Sequence, residues 1–164
     1  MTKFVFFGLC LLILGSCRSP EQSGPEDSST VLEAEIKTLP DLVQLDPRAR
    51  EVLDAWPQYM SLEDRLSALR DVRNQEQLEL LLEELNQICE QLEKNAFPLP
   101  FEKPSVRSRQ KVLRTCLGKL EAANYYRQDY QEPVSELMDA YNAMRQQFNV
   151  IVRNNLTPDL FEDD

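Results

Sequence analysis

Apolar residues recur at steps of three and four through most of residues 31–156, and nowhere do they alternate with the period of two that a half-buried strand requires. The spacing predicts an all-α fold. Val31, Leu32, Ile36 and Leu39 make a short amphipathic piece that Pro40 interrupts. Asp46-Pro47 reads as a cap followed by a first-turn proline, opening a helix that ends by Pro57 with Val52, Leu53 and Trp56 on one face. Trp56 and Tyr59 are expected to close over the core. Ser61, with Asp64 three residues on, has the capping-box relation and predicts the start of a long helix, with Leu62, Leu66 and Leu69 in line as far as about Val72. Asn74 and Gln75 mark a bend or an uninterrupted turn. Beyond them Leu78, Leu82, Leu85, Cys89 and Leu92, flanked by Leu81 and Ile88, form the seam of a packed helix.

Pro98, Pro100 and Pro104 bar a helix interior, so Phe97 to Pro104 is a connection whose apolar residues predict packing along the end of the domain. Ser105 is the expected cap of the next helix, which runs to about Tyr126 on an inner stripe of Val112, Leu113, Cys116, Leu117, Leu120 and Ala123. Arg107, Lys111, Arg114 and Lys119 lie mainly off that stripe and are expected to lean toward the glutamates of the preceding helix. Asp129, Glu132 and Pro133 predict the start of a last helix carrying Val134, Leu137, Met138, Tyr141, Met144, Phe148, Ile151 and Val152 inward. The architecture is an up-down helical bundle of three long helices, with one or two short N-terminal ones closing its side.

The first seventeen residues break the pattern. A basic start, Met1-Thr2-Lys3, precedes an apolar run from Phe4 to Leu14 that is about 16 Å long as a helix, roughly half the thickness of a bilayer core. Basic start, short apolar middle and small residues describe an export signal. Leu14-Gly15-Ser16-Cys17 resembles the lipobox of bacterial lipoproteins. The resemblance implies that residues 1–16 are a signal peptide removed during processing, that Cys17 carries diacylglycerol, and that its new amino group is acylated. Two or three fatty chains anchor stably where one does not. Arg18 follows the cysteine instead of the aspartate that resembles an inner-membrane retention signal, which favours the outer membrane of the cell envelope.

Residues 17–30 read as a lipidated flexible tether, since 18–30 contain no aliphatic or aromatic residue, residues 31–156 as the bundle, and 157–164 as an acidic tail. In general look the body resembles the small helical lipoproteins of Bacteroidota, a resemblance that brings no function with it.

Charge and composition then narrow the chemistry. The formal net charge is −10, and losing Lys3 with the signal makes it one unit more acidic, which argues against nucleic acid and against broad adhesion to anionic headgroups. Histidine is absent, and no nucleotide loop, zinc pattern, nucleophile elbow or calcium loop is present, so no catalytic residue, metal ligand or cofactor is predicted. The many glutamates avoid the leucine seams, where a bundle metal site would need them. Cys89 and Cys116 face inward at equal distances from the reversal between the helices, and export exposes them to oxidising surroundings. They are candidates for a disulfide contributing about 3–4 kcal/mol of chain-entropy stabilisation.

Tyr125, Tyr126, Arg127 and Tyr130 crowd the turn between the last two helices, residue types favoured at interface centres because they combine contact area with hydrogen bonding. The alternative is that Tyr126 or Tyr130 covers the bundle end. Arg145, Gln146, Gln147, Arg153 and Asn154 are candidates to extend the surface. The expected function is that of a membrane-anchored, non-catalytic lipoprotein binding another envelope protein, as chaperone, assembly factor or accessory subunit. The second expectation is a lipid- or small-molecule-binding helical lipoprotein with its cavity between the long helices.

Overall fold

The structure, a computed structural model, describes residue 36 and residues 39–154. The signal, Cys17, the tether and the acidic tail lie outside the described residues. Among those described, five α-helices form an up-down bundle: α1 (Pro47–Asp54), α2 (Pro57–Ser67), α3 (Gln75–Lys94), α4 (Pro104–Tyr126) and α5 (Gln131–Asn154), with a 3-10 turn at Ala68–Asp71 after α2. The three long ones are α3, α4 and α5, and α4 packs most extensively against α5.

The prolines set the helix starts. Asp46 caps α1 as the sequence predicts, its carboxylate accepting from the Arg48 N–H at 3.1 Å with Pro47 in the first turn. The guanidinium of Arg48 on the same carboxylate holds its pKa down to about 2, against an ordinary 3.8. Because the folded value is the lower one, this contribution to stability is complete above pH 3.8 and is lost as pH falls through about 2. Asp46→Asn is therefore expected to flatten the acid limb of the unfolding midpoint in that window and to leave the dependence at neutral pH unchanged.

Two predicted caps are corrected. Helix α2 begins at Pro57, so Ser61 and Asp64 lie inside it, and α4 begins at Pro104, so Ser105 is not a cap. In both cases the residue before the proline, Trp56 or Lys103, is held extended and serves as N-cap without a side-chain bond. Of the two alternatives at Asn74 and Gln75, the structure has the bend. Val72 turns extended, and Asn74 caps a new helix by accepting from the Gln77 N–H at 2.9 Å, while Gln77 reaches back to accept from the Arg73 N–H at 2.8 Å.

The core follows the predicted stripes. Leu78, Leu82, Leu85, Cys89 and Leu92 of α3, Leu113, Cys116, Leu117, Leu120 and Ala123 of α4, and all eight predicted residues of α5 are buried. Val112 is the exception, 45% exposed at the stripe's edge. Trp56 and Tyr59 are buried as expected, and Trp56 packs on Phe97 of the proline connection at 4.9 Å. Phe101 sits fully inside against Phe148, ring centres 4.6 Å apart, so the connection is part of the core.

Cys89 and Cys116 are free thiols, both buried. The pairs Asn86–Glu121 and Glu90–Arg114 bracket them, so the predicted level is correct. No bond joins them, and their charged surroundings differ: Arg114 and Glu121 of α4 act on Cys89, Glu136 and Asp139 of α5 on Cys116. Burial pushes the Cys89 thiol up to about 11 and raises that of Cys116 as well. The expected outcome of thiol titration is slow reaction of both in the folded protein and two reactive thiols on unfolding without reductant.

Candidate functional site

The end of α4 is built by a left-handed cap. Arg127 has φ 52° and ψ 45°, its N–H meets the Asn124 carbonyl, and the Gln128 N–H returns to the Ala123 carbonyl at 2.9 Å. Glycine is the usual residue at such a position, because any Cβ is crowded there by about 1–2 kcal/mol. The chain then re-enters helix α5, where the Asp129 carboxylate accepts from the Gln131 N–H at 2.8 Å.

This turn separates the four predicted site residues. Tyr130 is buried, its hydroxyl donating to the Asn124 side chain at 3.4 Å, and so covers the bundle end. Tyr125 and Tyr126 stand out, 80% and 67% exposed, edge to face with ring centres 5.0 Å apart. Tyr125 and Arg127 border a solvent-open groove of about 690 Å³ between α3 and α4. Glu79, Glu83, Glu90 and Glu121 line it with Asn86, whose amide donates to Glu121 and to the Leu82 carbonyl at 3.0 Å. Arg127 lines the groove too, and Arg114 and Lys94 pair with Glu90 at its edge, so the four carboxylates leave it only a modest negative balance. The groove was not legible from sequence: its glutamates belong to two helices and read as two separate solvated faces.

The cations of α4 are distributed differently from the expectation. Arg114 does lean on α3, with 3.1 Å to the Asn86 carbonyl and 3.9 Å to Glu90. Lys119 pairs instead with Glu136 of α5 at 2.7 Å, and Arg107 pairs with Glu102 and lies over the Phe97 ring at 4.9 Å.

The predicted extension of the surface through Arg145 is corrected too. Arg145 is 5% exposed and belongs to a buried network, donating to the hydroxyls of Tyr59 and Tyr141 at 3.3 Å each, to Glu63, and to the Val43 carbonyl at 2.8 Å. Tyr141 donates to Tyr59 at 3.0 Å, and burial raises the pKa of both phenols, so they act as neutral hydrogen-bonding groups. Burial works against the Arg145 charge, yet Tyr59, Tyr141 and Glu63 more than offset it.

Among the described residues no group of three or more His, Cys, Asp or Glu is placed to hold a metal ion, and no helix is long and apolar enough to cross a membrane. The chain matches no family model, no curated protein and no solved structure.

Proposed function

We propose that this chain is a non-catalytic lipoprotein, anchored through Cys17 to the envelope membrane, whose helical bundle docks another envelope protein at the α4–α5 turn. The observation that carries the docking surface is the pair Tyr125 and Tyr126, two large aromatic side chains held in mutual contact and left to solvent, with Tyr125 at the edge of the groove. Large exposed aromatics of this kind supply contact area at low entropy cost and anchor interfaces. The negative groove beside them fits a partner surface that presents lysine or arginine. The anchor rests on Leu14-Gly15-Ser16-Cys17, and the outer membrane on Arg18.

The test is affinity capture from detergent-solubilised envelopes, comparing the wild-type chain with Tyr125→Ala/Tyr126→Ala at equal expression. A partner retained by the first and lost from the second supports the reading; the same proteins captured by both contradict it. Cys17→Ser is expected to leave the membrane fraction, and an unmodified Cys17 in the wild type, found by mass spectrometry, contradicts the anchor.

Arg127→Gly separates the two demands on the turn. Relief of the left-handed strain is expected to raise stability by up to about 1 kcal/mol, while loss of the guanidinium leaves the groove more negative and tightens binding of a basic partner surface. A variant that binds more weakly would contradict the basic partner surface.

A further inference from the structure

Residues 39–46 form neither helix nor strand, yet they are held in register along α5 by three side chains of that helix. The Asn142 side chain accepts from the Val43 N–H and donates to the Asp41 carbonyl, both at 2.9 Å. Seven residues on, Asn149 accepts from the Asp46 N–H at 2.7 Å and donates to the Gln44 carbonyl at 2.8 Å. Between them Arg145 donates to the Val43 carbonyl. Each amide thus spans an N–H and the carbonyl two residues before it, and the pattern repeats after three residues.

The side chains repeat with the same period. Leu39 is buried, Leu42 and Leu45 are half-buried against the core, and Asp41 and Gln44 are exposed. A period of three is that of polyproline II, and Asp46, with φ −59° and ψ 137°, has that conformation. The two repeats are close in length: three polyproline II residues rise about 9.3 Å, and seven α-helical residues about 10.5 Å. None of these five bonds involves a side chain of residues 39–46. The face thus reads chiefly a backbone, with an apolar residue at every third position, and among the described residues its one side-chain link to the segment is Arg153 to the Asp46 carboxylate at 3.5 Å.

We propose that this face of α5 is a binding site for an extended segment of a partner protein with an apolar residue at every third position, and that residues 39–46 are its resident occupant in cis. The donors and acceptors that hold the resident segment serve any backbone in that conformation, as in other sites where main-chain bonds supply affinity and side-chain pockets supply selectivity. Residues 39–45 precede the Asp46 cap, whose carbonyl and carboxylate hold the first turn of α1, so their undocking breaks no helical hydrogen bond while that cap stays in place, and the cis occupant lowers the apparent affinity for a partner by the fraction of time it is bound. The site is separate from the tyrosine turn and does not depend on it.

The probe is a fluorescent peptide with the sequence of residues 39–46, titrated against the full chain. Val43→Pro/Leu45→Ser removes one N–H and one apolar contact from the cis segment, while proline keeps its extended conformation. This variant is expected to bind the peptide about tenfold or more tighter than the wild type, and adding Asn142→Ala/Asn149→Ala is expected to abolish binding. Failure of the peptide to bind the first variant when its circular dichroism matches the wild type, or equal binding with and without the two asparagines, overturns the proposal. Amide exchange of the unaltered protein gives an independent reading. The Val43 and Asp46 amides are expected to exchange through a local opening, and exchange only with global unfolding overturns the proposal as well.

Discussion

Arg145→Ala is expected to lower the unfolding free energy by about 3–5 kcal/mol, the usual result of removing one partner of a buried ion pair, and the thermal midpoint by more than about 10 °C. The size follows from what is left behind. Glu63 keeps only Arg50, at 2.9 Å, and the Val43 carbonyl and the two tyrosine hydroxyls lose their cationic donor in a buried site. A double-mutant cycle with Glu63→Gln isolates the pair: its removal together is expected to cost clearly less than the sum of the single changes. A loss below about 1 kcal/mol for Arg145→Ala would show that the network is not structural.

Phe148→Ala is expected to cost a comparable amount, about 3–5 kcal/mol. Its ring is fully buried, edge-on to Tyr59 at 5.6 Å and against Phe101 at 4.6 Å, so its removal opens a cavity where α5, α2 and the proline connection meet. Tyr125→Ala is the counterpart. It removes a ring of similar size from a position 80% exposed, and a change within about 0.5 kcal/mol is expected. Chemical denaturation of both variants measures the contrast directly. A Tyr125→Ala loss near that of Phe148→Ala would assign the tyrosine to the core and withdraw it from the docking surface.

The difference between these two aromatic positions was partly legible in the sequence. Phe148 belongs to a run of inward residues at steps of three and four, so its burial follows from helix geometry alone. Tyr125, Tyr126 and Tyr130 lie where α4 stops, and there periodicity gives no direction. The left-handed Arg127 turns Tyr130 under the bundle and leaves the other two outside. The helix starts were misjudged for a related reason. Ser61 and Ser105 have the right chemistry for caps, but a nearby proline that fits only the first turn outranks them.

The cysteines show how far a one-dimensional argument reaches. Equal distance from the reversal fixes their level, whereas facing depends on each helix's rotation about its axis, which chain distance does not carry. The hold on residues 39–46 was invisible for a different reason. Asn142, Arg145 and Asn149 are polar residues on a helix and read as a solvated edge, and the backbone they bind lies about a hundred residues away. Polar side chains that bury themselves against a backbone leave no hydrophobic signature.

The docking claim is tested most directly by site-specific photo-cross-linking in living cells, with the photoreactive residue placed at position 125 in one strain and at position 112 in another. Both positions are on α4 and both are exposed, so chance encounters reach them alike. One discrete adduct with an envelope protein is expected from position 125, absent from position 112 and reduced when Tyr126 is also replaced by Ala. Equal adducts from both positions, or none from position 125, would contradict it.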